Sequence, residues 1–191
     1  MLARANAVIA RRPVLAASST LGAKYLVADV MVQQTKRSEQ GFQTDRAALF
    51  GGFGFYYGAV NYHVFRQMDR IPWGGARRAA IGMSLLDIFV HLPGLFFPQF
   101  YAVRACIFAD PRPTTSAKVA ECAWSGLLTY RDNFVEDLKT LIMVFTPIDL
   151  AMFSLPLHLR TPFLSVVGLT FPIVLSWMRG ERKVAEPKSK A

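Results

Sequence analysis

An aspartate and a histidine stand four residues apart in the apolar stretch SLLDIFVHLPGLFFPQF, residues 84–100. On a helix this spacing places Asp87 and His91 on one face, where a carboxylate and an imidazole can pair, move a proton or bind a metal. No third or fourth metal ligand is evident in the sequence around them, so we do not predict a metal site. Pro93 and Pro98 follow directly, and we expect them to bend the helix because each lacks a backbone N–H.

Two other apolar segments also carry polar side chains. Asp29 and Gln33 are four residues apart in the first segment, and Asp149 stands in a later one. A charge at the centre of a bilayer costs roughly 2.5–3.5 kcal/mol on insertion scales, so such residues face the interior of a helical bundle and usually pair. The sequence therefore gives five candidates for polar intramembrane or pore-lining residues: Asp29, Gln33, Asp87, His91 and Asp149.

Two interpretations of these aspartates stay open. In the first they line a water-filled path. In the second they are structural partners of basic groups within a packed bundle, for which the candidates are Lys24, His63, His91 and Arg104.

The composition favours a membrane protein. Of the 191 residues, 52% are apolar and 18% are charged, and the net charge is +9. A basic chain of this kind suits an anionic lipid surface, cardiolipin for example. Nucleic acid is not predicted as a partner, because the basic residues separate apolar runs and form no stripe with interleaved aromatic residues. The two cysteines, Cys106 and Cys122, support neither a disulfide framework nor a metal site.

Several apolar runs have the length of a membrane-spanning helix. Residues 47–65 and 161–178 contain no formal charge, and residues 13–34, 79–103 and 138–158 contain very few. A helix needs about 20 mostly apolar residues to cross the hydrocarbon core of a bilayer. We therefore predict an all-α integral membrane bundle of four to five hydrophobic segments.

The polar segments set the expected organisation. Residues 1–12 form a basic N-terminal segment, 13–178 a single bundle domain and 179–191 a polar basic tail. With four crossings, the two termini and the loop 66–78 share one face, which the positive-inside rule assigns to the matrix or cytosol. The long connection 104–137 carries apolar residues at helical spacing between Val119 and Tyr130. We predict a short amphipathic helix at the membrane interface there; the alternative is a helix that caps a soluble core.

The first 28 residues contain no acidic side chain and carry Arg4, Arg11 and Arg12 among small apolar residues. This composition is typical of a mitochondrial targeting segment. An ordinary basic amphipathic helix start gives the same pattern.

Three glycines follow one helix face in the stretch GGFGFYYG. Gly51, Gly54 and Gly58 are spaced at i, i+3 and i+7. Because glycine has no Cβ, a second helix can approach closely along this face, which favours helix packing in lipid. A dinucleotide-binding loop is not predicted, because no strand precedes the glycines and their spacing is wrong. The chain also has no GxSxG sequence and no P-loop, so we predict neither an enzyme nor a cofactor.

Motifs spread over most of the chain carry a family resemblance. The stretch GAVNYHVFRQMDRIP resembles a family motif that begins with Gly-Pro and ends with Leu-Asp, and FTPIDLAMFSLPLHLR resembles a later motif with Phe, Pro and Arg at matching places. The residues at the matching positions, some identical to the family residue and some replacing it, are Pro13, Thr20, Asp29, Gln33, Gly58, Phe65, Met68, Asp69, Asp87, Pro93, Phe145, Asp149, Phe153, Pro156, Arg160, Phe171, Leu175 and Ser176.

By these residues the chain resembles the Mpv-seventeen / twenty-two-kilodalton peroxisomal membrane protein family, as a divergent member. The family's tryptophans are replaced by Val or Phe, and its amide residues are replaced at Asp149, Met152 and Ile88. The resemblance implies a non-enzymatic integral membrane protein of the mitochondrial inner membrane or, alternatively, the peroxisomal membrane. It also implies a poorly selective channel.

Two functions from different classes are thus expected. The first is a structural or accessory subunit of a larger inner-membrane complex, favoured by the lost family positions and by the glycine face. The second is a channel or small-solute transporter, favoured by the acidic residues on three separate segments and by histidines that titrate near neutral pH.

Overall fold

The computed structural model describes residue 7 and residues 9–35 and 42–169. Over these residues the chain is helical and contains no strand. The N-terminal segment 1–12 therefore lies mostly outside the described residues, and the polar tail 179–191 lies entirely outside them.

The first two helices form an antiparallel hairpin. Helix α1 spans Pro13–Thr35 and helix α2 spans Thr44–Met68. Proline suits the first position of α1, because the N–H that it lacks would have no partner within the helix. In α2 the first turn contains Asp45 and the last turn contains Arg66, charges that complement the helix dipole at each end.

Glycines bring the backbones of α1 and α2 together. A Cβ on Gly54 would come within 2.6 Å of the Leu21 carbonyl oxygen, and a Cβ on Gly58 would overlap the backbone of Ala17. Gly51 is less restricted, because a Cβ there would lie 3.2 Å from that of Leu26. The predicted glycine face is therefore occupied by a helix of the same chain.

A long helical segment follows a tight loop. Gly74, with φ of 72°, adopts the left-handed conformation that glycine accepts without strain. Helix α3 then spans Ala76–Leu86, a π-helical segment spans Asp87–Phe96, and helix α4 spans Phe97–Phe108. The chain thus passes both prolines without leaving the helix.

The next helix is longer than the sequence indicated. Helix α5 spans Ser116–Thr140, begins at a Thr115 side chain that accepts a hydrogen bond from the Lys118 N–H, and packs along α4. It continues through a π-helical turn, Leu141–Phe145, into helix α6, Thr146–Phe153. The prediction of a short helix, separate from the apolar segment 138–158, was wrong. Most of the charged residues of α5 are exposed, so they do not interrupt the helix.

The last described helix, α7, covers residues 157–169. The largest described core cluster joins it to α2, α3 and α6, and consists of Phe65, Met68, Ala80, Met83, Met152 and Phe153 with Leu157, Phe163 and Leu164 against them. Polar side chains next to this core form the candidate site.

Within the described residues, two helical segments are long and apolar enough to cross a membrane: Pro13–Gln34 and Ala76–Phe108. Helix α2 is uncharged along 47–65, but its Gly, Tyr, Asn and His residues lower its hydropathy below that of the other two. Charge count alone was therefore a poor guide to which segment is most apolar. The predicted segment 161–178 lies partly outside the described residues.

Candidate functional site

A chain of buried hydrogen bonds connects α2 to the π-helical segment. The Nδ1 atom of His91 lies 2.6 Å from Oδ1 of Asp87, and its Nε2 atom lies 2.8 Å from the hydroxyl of Tyr57. Asp87 and Tyr57 are each 2% exposed and His91 is 5% exposed. Because an ionised carboxylate only accepts hydrogen bonds, Asp87 selects the tautomer with hydrogen on Nδ1. The Nε2 lone pair then accepts the hydroxyl hydrogen of Tyr57.

The imidazole is held by aromatic rings. Tyr57 stacks on His91 with 6.0 Å between ring centroids and 8° between planes. Phe65 meets the same ring edge-on at 5.9 Å. Tyr57 and Phe65 project from one face of α2, so a single helix orients the imidazole from two sides. This packing fixes the ring in the plane that both of its hydrogen bonds require.

Asp149 brings a second carboxylate to this site. Its side chain is fully buried at 0% exposure, and no N–H or hydroxyl group of the described residues donates to either carboxylate oxygen, whereas the carboxyl of Asp87 lies within hydrogen-bonding reach. The nearby charge that acts on it is that of Asp87. Two carboxylates therefore meet inside the bundle, and His91 supports only one of them.

The π-helical geometry explains how Pro93 is tolerated. The N–H of Phe97 bonds to the Leu92 carbonyl, one residue further back than in an α-helix, and Pro98 has no N–H to offer. The Pro93 carbonyl consequently has no donor within its own helix. The hydroxyl of Tyr130 on α5 donates to it at 2.7 Å. Burial raises the pKa of the Tyr130 phenol, and the Asp137 carboxylate adds to the shift.

Asp29 lies in a separate cluster with a complete set of partners. Arg46 contacts both of its carboxylate oxygens, with Nε at 3.0 and 3.2 Å. Gln33 donates to Asp29 at 2.6 Å and to the Gln43 carbonyl, and its amide oxygen accepts from the Gln43 N–H at 2.7 Å. These bonds join the end of α1 to the start of α2.

A third ion pair joins distant parts of the chain. Arg160 on α7 donates to Asp69 at the end of α2 over 2.8 Å, and also to the Leu155 carbonyl. Its guanidinium lies 5.3 Å from the centroid of the Phe153 ring. Asp69 and Arg160 both belong to the motifs behind the family resemblance, and the structure brings them together.

The structure separates the predicted polar residues into two groups. Asp87, His91 and Asp149 come together, whereas Asp29 and Gln33 lie in the cluster with Arg46. Of the basic groups proposed as partners, only His91 is paired with an aspartate among the described residues.

Sequence reasoning missed several partners because they come from other helices: Tyr57, Arg46, Arg160 and Tyr130. One available signal was the series Tyr57, Asn61 and Phe65 at helical spacing in an apolar run, since each is almost fully buried. Among the described residues no group of three or more His, Cys, Asp or Glu side chains could hold a metal ion.

Comparison with known proteins gives a distant similarity. The chain is 26% identical to Protein sym-1 of Neurospora crassa over 187 residues, which cover 95% of this chain and 100% of that protein. No family model and no solved structure matches the chain.

Proposed function

We propose that the chain is a non-enzymatic, multi-pass protein of the mitochondrial inner membrane that passes protons or small solutes through the polar centre of its helical bundle. It would be a divergent member of the Mpv-seventeen / twenty-two-kilodalton peroxisomal membrane protein family. One observation carries the proposal: the carboxyl group of Asp149 is fully buried, receives no N–H or hydroxyl donor from the described residues, and lies against a second buried carboxyl group, that of Asp87.

Exposed apolar surface supports a lipid environment. Only 22% of the apolar window in Pro13–Gln34 and 39% of that in Ala76–Phe108 is buried inside the chain, whereas the core helix of a soluble protein is mostly buried. Large side chains remain exposed on these helices: Leu15, Leu26, Val27, Ile81, Leu85, Phe89 and Val90. Lipid tails cover such a surface without cost, and water does not.

The buried acids support passage of charge. Removing a carboxylate from water is expensive, so two neighbouring acids inside a membrane bundle, one of them without a basic partner among the described residues, mark a functional site by default. A proton or a small cation between Asp87 and Asp149 would supply the missing positive charge. In a conducting path this proton or cation must also be able to leave. The two carboxyl groups must therefore bind it weakly enough to release it.

The histidine offers a route for a proton. A proton that reaches Nε2 from the Tyr57 side would give an imidazolium, which can then release its Nδ1 proton to Asp87. The carboxyl of Asp87 can pass that proton to Asp149. Each step joins neighbouring groups of the site, and none requires a cofactor.

A second candidate is an accessory subunit of a larger inner-membrane complex. It is favoured by large exposed side chains on the outer face of α5 and the turn after it: Trp124, Phe134, Val135 and Met143. The glycine face supports an accessory subunit less than the sequence alone indicated. Helix α1 of the same chain, and not a partner protein, packs against this face.

The proposed localisation and the proposed partners are inferred from the composition. The acid-free start with Arg4, Arg11 and Arg12 supports mitochondrial targeting, and the peroxisomal membrane is the alternative. The excess of basic residues supports contact with anionic lipid such as cardiolipin. We propose no nucleic-acid partner.

Planar-bilayer recording of the purified protein tests the channel directly. We expect Asp149→Asn and Asp87→Asn to lower conductance roughly tenfold, the change produced by a barrier about 1.4 kcal/mol higher. Asp132→Asn is the matched control, because Asp132 is an exposed aspartate on α5 paired only with its neighbour Arg131. If the wild-type protein conducts nothing, or if all three variants conduct equally, the site is not a path.

Native electrophoresis of solubilised membranes tests the second candidate. A complex that contains the chain and is lost on Trp124→Lys and Val135→Lys would favour the subunit. Migration of the chain as a small species alone would exclude it.

A further inference from the structure

We propose that Cys106 and Cys122 form a reversible disulfide that fastens α4 to α5, made by exchange with a low-molecular-weight disulfide. These are the two cysteines of the chain. They belong to different helices, and the proposal is independent of whether the bundle conducts.

The two helices run antiparallel at close range. A Cβ on Gly126 of α5 would lie 2.8 Å from the backbone carbon of Tyr101 and 2.9 Å from Cα of Ala102, so only glycine fits. Cys122 lies one turn before Gly126, and Cys106 lies one turn after Ala102. Because the helices are antiparallel, one turn forward from Ala102 on α4 and one turn back from Gly126 on α5 lead towards the same end of the pair. Both cysteines therefore lie on the narrow contact between α4 and α5, called the seam below.

The sulfur atoms are neighbours across this seam. Sγ of Cys106 lies 3.7 Å from the carbonyl oxygen of Val119 on α5, and the Cys122 side chain is within hydrogen-bonding reach of the Cys106 thiol. A disulfide needs Cα atoms roughly 4.4–6.8 Å apart. Helices close enough to exclude a Cβ one turn away can meet this condition without a large backbone shift.

A small oxidant can reach the pair. Both cysteines are partly exposed. Cys106 stands two residues before the end of α4 and Cys122 stands in the second turn of α5, so both are close to the connecting loop 109–115. A cavity of about 350 Å³ borders Cys106, between Ala102, Val119 and Ala123, with Arg112 at its edge.

The reaction balances as two thiol–disulfide exchanges. One cysteine, as thiolate, attacks a sulfur of the small disulfide, forms a mixed disulfide and releases the first small thiolate. The second cysteine loses its proton and attacks the protein sulfur of the mixed disulfide, which breaks that bond and releases the second small thiolate. The two cysteines are oxidised by two electrons in total, and the small disulfide takes up those electrons and both protons to become two thiols.

The disulfide would also restrain the contact between the helices farther from the loop. Tyr130 of α5 donates to the carbonyl of Pro93, which lies in the π-helical segment directly before α4. A covalent link at the loop end restrains α5 against α4, so this hydrogen bond is kept in register. The disulfide would thereby connect the redox state of the loop end to the π-helical segment.

The full-length protein, purified reduced in detergent, provides the test. After treatment with oxidised glutathione and then N-ethylmaleimide, we expect an intact mass with neither glutathione nor maleimide added, and two maleimide additions once dithiothreitol has been applied. Monomer migration on a non-reducing gel shows that the bond is internal. Cys106→Ser should instead retain one glutathione, because the second attack cannot occur.

A displaced thiol serves as the control. Ala105→Cys in the Cys106→Ser background moves the sulfur by one residue, about 100° around the helix, and this protein should keep its glutathione. Three results would each overturn the proposal: maleimide-reactive thiols in the oxidised wild type, a covalent dimer in place of the closed monomer, or equally rapid closure of the displaced control.

Discussion

The Asp29 cluster and the Asp87 site are built from similar residues and differ in how far their charges are compensated. Asp29 receives hydrogen bonds from Arg46 and Gln33 at both oxygens. Asp149, in the other site, receives none from any N–H or hydroxyl group of the described residues and has another carboxyl group, that of Asp87, within hydrogen-bonding reach. The first arrangement stabilises the contact between α1 and α2. The second places two buried carboxyl groups against each other, with no basic partner for Asp149 among the described residues, an arrangement that a fold does not need for stability.

The largest effect is expected at the compensated cluster. Asp29→Ala should lower the free energy of unfolding by about 3–5 kcal/mol, because it leaves the Arg46 guanidinium, 14% exposed, without its partner. Titration of the micelle-bound protein with dodecyl sulfate, followed by circular dichroism, measures the loss. Asp132→Ala on the surface of α5 is the control and should cost under about 0.5 kcal/mol. Equal losses in the two variants would show that the cluster is not structural.

The opposite sign is expected at the uncompensated site. Asp149→Asn should raise the free energy of unfolding by about 1–2 kcal/mol, because it removes the unfavourable interaction of two neighbouring carboxyl groups and its amide can donate to Asp87. The same titration measures the gain. Asp87→Asn is the matched comparison and should destabilise, since it weakens the bond to His91. A loss of stability in Asp149→Asn would mean that this carboxylate is compensated after all.

A smaller effect is expected where α5 supports the π-helical segment. Tyr130→Phe should cost about 1 kcal/mol, because the Pro93 carbonyl loses its donor. Tyr56→Phe provides the control, since Tyr56 is 55% exposed. Thermal unfolding in micelles compares the two variants. Indistinguishable midpoints would show that water donates a hydrogen bond to the Pro93 carbonyl as effectively as Tyr130 does.

The smallest effect is expected from the exposed pair of Asp45 and Arg112. The Arg112 side chain, by its hydrogen bond, holds the pKa of Asp45 below its usual value. A group whose pKa is lowered on folding stabilises the fold above the unfolded-state pKa, about 3.9, and this contribution is lost as pH falls through the folded-state pKa. The midpoint difference between wild type and Asp45→Asn should therefore be present at about pH 6 and vanish near pH 2. A difference that is independent of pH would contradict this.

Local spacing predicted the pairs that lie within one helix. Asp87 with His91, and Asp29 with Gln33, are each four residues apart, and both pairs form hydrogen bonds. The partners of these pairs could not be predicted in this way. Arg46 and Tyr57 come from α2, and the register of α2 on its neighbours is set by glycine contacts that a linear pattern does not show.

Helix boundaries were less predictable than helix existence. The prolines suggested a bend at Pro93, and the charges suggested an interruption within 104–137. The chain continues as a helix through both regions, except for the loop 109–115. The reason is tertiary: Tyr130 satisfies the carbonyl that Pro93 and Pro98 free, and an exposed face accepts the charges of α5.

The π-helical segment Asp87–Phe96 also determines which face of helix α4 points towards α5. A wider turn holds more residues than an α-turn of the same height, so it acts as an inserted residue. Deleting one residue there would rotate all of α4 by about 100° relative to α3. Tyr101, Ala102 and Cys106 would then no longer meet Gly126 and Cys122, although no residue of either contact had changed.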